Sequence, residues 1–167
     1  MFLFQSERLR FRVWSQEDLD QGMTLWGNEI VGKFVGGALS NDQVAQSIEN
    51  GIKHHQQHGV QIFYCETHGG QFIGACGFAK GDHEGEAELI IHLHPDHHGK
   101  GYGKEACLAA FQWLKDQPQL GFDKVVASAA LENHGSLGLM RSLGMKSQGI
   151  EWFEDLKQEE EVFTYTL

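Results

Sequence analysis

The feature that most constrains this chain is a glycine loop between a β-forming stretch and a helical one. Glycines stand at every second position, Gly99, Gly101 and Gly103, directly after the apolar segment that ends near His94. Residues without a Cβ atom let the backbone turn tightly and aim successive N–H groups into one concavity. The helix expected to begin here adds its partial positive charge. The order strand, glycine loop, helix therefore predicts an anion-binding site.

The spacing of these glycines differs from two common nucleotide-binding motifs. A P-loop has four residues between its first glycine and a Gly-Lys pair, which Ser or Thr then follows. Here three residues separate Gly99 from Gly103-Lys104, and Glu105 stands where the hydroxyl is needed. The dinucleotide motif has two residues between its last two glycines and follows a first strand. A nucleotide-binding protein is therefore disfavoured, whereas a turn that binds nothing stays open.

The charge of the chain indicates what it attracts. The 167 residues carry a formal net charge of −10, and Lys and Arg form no stripe along the sequence. Affinity for nucleic acids depends on such basic stripes, so no nucleic-acid partner is expected. A negative surface instead attracts cationic substrates such as amines.

Length, apolar runs and cysteines predict one domain in a reducing compartment. A chain of 167 residues has the usual size of a single domain, here 1–167. Apolar runs such as Leu89–Ile91 are far shorter than the roughly 20 residues that cross a bilayer, and no secretion signal is seen, so no membrane partner is expected. Cys65, Cys76 and Cys107 follow no paired motif, which predicts buried free thiols and a cytoplasmic location.

Periodicity predicts a mixed sheet with helices on both faces. Alternation of polar and apolar residues over Arg8–Trp14 predicts a first strand. Ser15 and Ser40 each stand three residues before a capping partner, which predicts helices at 16–31 and from about 41 to 58. The other predicted elements are strands at 60–66, 72–79, 86–94, 123–130, 147–153 and 160–167 and helices at 101–115 and 133–143, with Gly144 as a left-handed stop.

Three motifs in this order resemble those of the GNAT N-acetyltransferase superfamily. His98–Gly103 resembles the family's coenzyme A loop, (Gln/Arg)-x-x-Gly-x-(Gly/Ala), with His98 in place of Gln or Arg. Glu132–Ser136 resembles its Glu-Asn-x-x-Ser/Ala helix start, and Leu143–Met145 its Leu-Gly-Phe ending. The opening Ser6–Arg12 is similar to the branch that contains the Rim-type (ribosomal-protein N-terminal) acetyltransferases. The resemblance covers nearly the whole chain.

The resemblance implies a fold and a co-substrate. The fold is α/β (α+β), a mostly antiparallel twisted sheet of about seven strands with about four helices and with splayed central strands. Acetyl-coenzyme A lies between those strands, and its pyrophosphate lies on the glycine loop. The implied coenzyme-binding residues are His92, Leu93, His94, His98, Gly99, Lys100, Gly101, Tyr102, Gly103, Lys104, Asn133 and Ser136.

The chemistry that the resemblance implies is transfer of the acetyl group to a primary amine by direct attack on the thioester. The Leu93 N–H would stabilise the developing oxyanion. A base should take the amine proton; Glu88 is the first candidate, and Glu86 shares its face by the period-two rule. Both carboxylates could instead be solvated groups that only attract a cation. Many family members place a Tyr at the position of Met140, where it protonates the leaving thiolate. Without it, Ser136 or water could give this proton, or the thiolate could leave unassisted.

Further alternatives concern metals, aromatics and function. The histidines at 92, 94, 97 and 98 have no further ligand in a closing pattern, so no metal is expected. Trp26, Phe34 or Trp152 could line an acceptor pocket or serve packing alone. A non-catalytic acyl-coenzyme A binding module is the alternative function. The acceptor, a peptide N-terminus or a small amine, and a possible homodimer are left open.

Overall fold

The computed structural model describes all residues, 1–167. Eight strands and five helices follow one another along the chain. The first half holds β1 (Phe4–Gln5), β2 (Leu9–Arg12), α1 (Leu19–Trp26), α2 (Glu29–Gly32), α3 (Asn41–His58), β3 (Ile62–Thr67) and β4 (Phe72–Lys80). The second half holds β5 (Glu86–Leu93), α4 (Tyr102–Lys115), β6 (Lys124–Ala130), α5 (His134–Ser142), β7 (Lys146–Phe153) and β8 (Gln158–Thr166).

Local signals account for most of these boundaries. Ser40 accepts a hydrogen bond from the Gln43 N–H, and the Gln43 side chain accepts one from the Ser40 N–H, so the predicted capping box of α3 is confirmed. Gly144 has a φ of 77° just after α5, as predicted. The helix predicted at 16–31 is in fact two, because Asn28 accepts a hydrogen bond from the Ile30 N–H and so caps a second helix that begins at Glu29. The short strand β1 was not predicted.

The strands form one sheet in the order β1-β2-β3-β4-β5-β6-β8-β7. All neighbours are antiparallel except β5 and β6. These two parallel strands pair only over Glu86–Glu88 and Lys124–Val126. Beyond Glu88 they separate, so the predicted splay is confirmed and a cleft opens in the middle of the sheet.

Each face of the sheet has its own hydrophobic core. The larger core lies under α4 and α5 and includes Leu89, with Ile91 and Leu93 packed against it. The smaller core lies under α1 and α3 and includes Ala75, which pairs with His92 across β4 and β5. Because side chains alternate along a strand, β5 turns its odd-numbered residues to α4 and its even-numbered ones to α1–α3. No helix is both long and apolar enough to cross a membrane.

Candidate active site

The splay between β5 and β6 creates a cleft of about 1190 Å³. Its floor is the second half of β5, and its walls are the starts of α4 and α5, α2 with the segment after it, and the turn between β7 and β8. Ten of the twelve residues that the sequence assigns to coenzyme binding line this cleft, and His94 and Lys100 do not.

The glycine loop forms an anion cradle at one end of the cleft. Gly99 and Gly101 have φ values of 72° and 79°, which side-chain-bearing residues rarely adopt. Gly101 is the N-cap residue of α4, and no side chain caps this helix. The first N–H groups of α4, from Tyr102 to Lys104, are therefore left for an external acceptor. A helix start with free donors and a nearby ammonium group fits a diphosphate.

Arg8 fastens this loop to the first strands. Its Nη1 donates to the Lys100 carbonyl at 3.1 Å, and its Nε donates to Glu105 Oε2 at 2.6 Å. The guanidinium also lies 4.4 Å from the centre of the Tyr102 ring, within the range of a cation–π contact. Arg8 thus joins the loop, the first turn of α4 and β2 in one group.

Two of the predicted coenzyme contacts point elsewhere. His94 Nδ1 accepts a hydrogen bond from the Asp96 N–H at 3.3 Å, so its ring caps the short turn that follows β5. Lys100 Nζ donates to the Asp96 carbonyl at 2.8 Å. Both side chains stabilise the turn Pro95–His97, and neither lines the cleft.

His98 holds the end of β5 in place. Its Nε2 lies 3.0 Å from the Leu93 carbonyl oxygen; because a carbonyl can only accept, Nε2 carries the proton and donates. The next N–H along the chain, that of His94, donates to Ile73 on β4. Since successive N–H groups of an antiparallel strand alternate in direction, the Leu93 N–H points into the gap toward β6. It is available as a donor in the cleft.

The two carboxylates of β5 have different surroundings. Glu88 lines the cleft and is exposed to it; partial desolvation by the cleft walls raises its pKa, and the carboxylates of Asp82, Glu160 and Asp155 raise it further. Glu86 is 6% exposed and forms an ion pair with Lys124 at 2.6 Å. The hydrogen bond from Lys124 lowers the pKa of Glu86. Glu86 is thus a paired carboxylate outside the cleft, and only Glu88 has the raised pKa of a base.

His92 lies on the face of β5 that is turned to α1 and α3. Its Nδ1 accepts a hydrogen bond from the Trp26 indole N–H at 2.9 Å. Burial lowers the pKa of His92 to about 4, so the ring is neutral at physiological pH. With Nδ1 as an acceptor, the proton lies on Nε2. The sequence offered no signal for this pair, because the two residues are 66 positions apart.

The start of α5 forms another wall of the cleft. Asn133 Oδ1 accepts a hydrogen bond from the Ser136 N–H at 3.2 Å and so caps the helix. The Ser136 hydroxyl is free beside the cleft, and the buried Met140 lines the wall below it. Asn133 therefore positions Ser136, and the latter is the only hydroxyl-bearing side chain at this wall apart from that of Ser142.

A series of hydrogen bonds links the segment after α2 to β8 and β6. Gln158 Nε2 donates to the Phe34 carbonyl at 3.2 Å and to Glu160 Oε1 at 2.7 Å. The Ser128 hydroxyl donates to the other oxygen of Glu160. Phe34 lines the cleft, whereas Trp152 is exposed on β7 and bonds to Glu154. No group of three or more His, Cys, Asp or Glu side chains is arranged to hold a metal ion.

Comparison with known proteins agrees with this geometry. Residues 8–146 match the family model described as "Acetyltransferase (GNAT) domain". The chain is 30% identical over 153 residues to the uncharacterized N-acetyltransferase p20 of Bacillus licheniformis, which covers 87% of the chain and 83% of that protein.

Solved structures show the same fold. A GNAT-family acetyltransferase of Bacillus anthracis superposes with a TM-score of 0.84 at 20% identity and covers 99% of this chain and 98% of that one. The ribosomal L7/L12 alpha-N-protein acetyltransferase RimL in complex with coenzyme A has a TM-score of 0.81 at 13% identity and covers 100% and 98%. The chain belongs to the GNAT family and is an acetyl-CoA-dependent N-acetyltransferase, which transfers an acetyl group to an amine.

Proposed function

We propose that the acceptor amine attacks the thioester directly, with Glu88 as the base that takes its proton. Glu88 and Leu93 lie on the same strand, and both line the cleft. The raised pKa of Glu88 increases the affinity of its carboxylate for a proton, which suits a base. This carboxylate, open to the cleft on the splayed strand, is the observation that carries the proposal.

The proposal assigns the coenzyme to the residues that line the loop end of the cleft. The free N–H groups at the start of α4 and the Lys104 ammonium would hold the pyrophosphate. Acetyl-coenzyme A supplies the activated acetyl group. The Leu93 N–H, which the alternation along β5 directs into the gap, would donate to the oxygen of the acetyl group as its charge grows. A donor aimed at such a charge stabilises the transition state by about 3 kcal/mol.

The proton for the departing thiolate comes from Ser136 or from water. The Ser136 hydroxyl makes no hydrogen bond within the protein that would occupy it, and it faces the cleft. A thiol has an ordinary pKa of about 8.5, so the thiolate also leaves without an acid at neutral pH. Met140, buried in the wall of the cleft, has no proton to give.

The proposed acceptor is a primary amine, either a protein N-terminus or a small molecule. The net charge of −10 and the carboxylates of Asp82, Glu88 and Asp155 around the cleft attract a protonated amine. One structural neighbour acts on the N-terminus of a ribosomal protein, which makes a peptide N-terminus one test substrate. We also propose a cytoplasmic location, since Cys65, Cys76 and Cys107 are buried free thiols. A homodimer is still a prediction, which a measurement of the molecular mass in solution would test.

The test measures release of coenzyme A thiol with a panel of amines and the variants Glu88→Gln and Asp82→Asn. Glu88→Gln is expected to lower kcat by about 10²- to 10⁴-fold, the usual contribution of a general base, without change in coenzyme affinity. Asp82→Asn keeps the base, so it is expected to raise KM for cationic amines and to leave kcat near the wild-type value. A Glu88→Gln variant with unchanged kcat at neutral pH would exclude Glu88 as the base.

A further inference from the structure

A second cavity, of about 410 Å³, adjoins the cleft on the acceptor side. It lies between α2 and α3 above and β3, β4 and β5 below. Val31, Val35 and His92 line both spaces, so these three residues lie where the cavity meets the cleft. A molecule held in the cavity can therefore extend past His92 to the reacting amine.

The walls of this cavity are apolar and carry no formal charge. Nine of the seventeen lining residues are hydrophobic, among them Trp14, Trp26, Leu39, Ile48, Ile62 and Phe78, and the polar side chains are those of Ser47, Asn50, His54, Gln61 and His92. No Asp, Glu, Lys or Arg lines it. The cleft, by contrast, is bordered by Asp82, Glu88 and Asp155. Charged groups are costly to bury without a partner, so a cationic amine belongs in the cleft and an uncharged group in the cavity.

One polar side chain in the cavity wall lacks a partner. Gln61 is 2% exposed, and neither its Nε2 nor its Oε1 has a hydrogen-bond partner in the protein. The amide lies beneath α3, where a Cβ atom on Gly51 would be 3.7 Å from Gln61 Oε1. A buried amide without partners is destabilising. A ligand group that both donates and accepts would satisfy it after a small rotation of the amide.

The mouth of the cavity carries apolar side chains that the protein itself does not cover. Val35 is 48% exposed and lines both the cavity and the cleft, and Ile30, which lines the cleft, is 64% exposed. Large apolar side chains grouped at a concave mouth mark a binding site. Cavities of a few hundred Å³ with few polar groups are typical of sites for small organic groups.

We propose that the acceptor amine carries an uncharged aromatic or aliphatic arm, which enters this cavity and ends in an amide-like group that pairs with Gln61. The proposal rests on the proposed function, since the arm is placed by the amine in the cleft. Two sources share the uncharged arm: a small arylalkylamine, whose carboxamide also supplies the amide-like group, and a peptide whose first residue has an apolar side chain. The experiment tests each source with its own probes.

The experiment compares matched amines by thiol release. The probes are 4-(2-aminoethyl)benzamide, 2-phenylethylamine, which lacks the amide, and spermidine, whose arm is cationic. The expected order of kcat/KM is benzamide, then phenylethylamine, then spermidine, with about three- to tenfold between the first two, the usual effect of one hydrogen bond. The peptides Phe-Gly-amide and Lys-Gly-amide test the second source, and the Phe peptide is expected to be the better of the two.

Variants test the cavity itself. Gln61→Leu should abolish the advantage of the benzamide over phenylethylamine and should leave stability equal or higher, because an unpaired buried amide is replaced by an apolar group. Ser47→Leu projects into the cavity from α3 and should raise KM for both aromatic probes about tenfold, but not for spermidine. Gln57→Leu, exposed on the same helix, is the control and should change neither. A benzamide preference that survives Gln61→Leu would overturn the role of Gln61.

A second measurement keeps this inference separate from the proposed function. Calorimetric binding of 4-(2-aminoethyl)benzamide to the protein saturated with coenzyme A needs no turnover. Preference for spermidine over both aromatic probes, with normal acetylation, would refute the cavity assignment and leave Glu88 as base intact. If no amine is acetylated but the benzamide binds and Ser47→Leu weakens it, the cavity stands and the proposed function falls. Absence of binding refutes the cavity in either case.

Discussion

The indole N–H of Trp26 donates to Nδ1 of His92 at 2.9 Å and joins the first helix to the central strand of the sheet. This bond fixes the tautomer of His92, so that Nε2 carries the proton on a ring that lines both the cavity and the cleft. The same bond also opposes protonation, because Nδ1 cannot accept from the indole and carry a proton of its own. Trp26 thus keeps a neutral donor beside the acceptor site.

A pH dependence of stability follows from the burial of His92. Its pKa of about 4 lies below the ordinary value of 6.5, so the unfolded chain binds the proton more tightly. Above about pH 6.5 His92 is neutral in both the folded and the unfolded chain, and the free energy of unfolding has its full value. As the pH falls toward 4, only the unfolded chain binds the proton, and the free energy of unfolding decreases by up to about 3 kcal/mol. Urea unfolding at pH 7 and pH 5 should show a steeper loss for wild type than for His92→Gln. Equal losses would contradict this.

Arg8 is expected to support coenzyme binding without contacting the thioester. Arg8→Ala removes the bonds to the Lys100 carbonyl and to Glu105, so the anion cradle loses its order and the Kd for coenzyme A should rise about tenfold, which corresponds to about 1.4 kcal/mol. The control is Arg10→Ala, two residues further along the chain on β2, which breaks a similar ion pair with Glu66 at 2.6 Å but lies away from the loop. Calorimetry should show weaker coenzyme binding only for Arg8→Ala.

Gly101 tests whether the loop backbone binds the pyrophosphate. An alanine there must adopt a φ of 79°, and this strain costs about 1–2 kcal/mol; its Cβ atom would also lie 3.4 Å from Arg8 Nη2. Gly101→Ala should therefore lower both stability and affinity for coenzyme A. Gly51→Ala, in the middle of α3 and with ordinary contacts, should raise stability by about 1 kcal/mol and leave that affinity unchanged. Unaltered coenzyme binding in Gly101→Ala would refute the assignment of the loop.

The parts of the molecule that the sequence predicts are those in which neighbours along the chain also meet in space. The loop from Gly99 to Gly103 lies between a strand and a helix, so one continuous segment contains the residues that determine its shape. The bond between Trp26 and His92, and the unpaired amide of Gln61, depend on how α1 and α3 pack on the sheet. No local pattern encodes that packing, and these acceptor-side features were not predicted.

Glu86 and Glu88 show the same limit within one strand. The alternation of side chains along a strand correctly predicts that Glu86 and Glu88 lie on the same face. It does not predict which strand lies beside them. The parallel pairing of β5 with β6 sets Glu86 opposite Lys124, and the separation of the strands beyond Glu88 leaves the second carboxylate open to the cleft. The pairing of β5 with β6, and not the sequence pattern of β5, therefore gives Glu86 a structural role and leaves Glu88 for the proposed catalytic one.

This division predicts opposite effects for two matched variants. Glu86→Gln leaves the cleft untouched and should keep kcat, while it removes the ion pair with Lys124 and lowers stability by no more than about 1 kcal/mol, since Lys124 is partly exposed. Glu88→Gln should lower kcat and leave stability equal or higher, because a carboxylate among other acidic groups loses its charge.

The pH dependence of these two variants separates the roles further. Because pairing lowers the pKa of Glu86, its contribution is present above the ordinary value of 4.5 and disappears as the pH falls through the folded value. Unfolding curves of wild type and Glu86→Gln should therefore converge in acid. The raised pKa of Glu88 acts on the rate instead: wild-type kcat/KM should fall as the pH drops through that pKa, and this limb should be absent in Glu88→Gln. A limb that persists in Glu88→Gln and vanishes in Glu86→Gln would reverse the assignment.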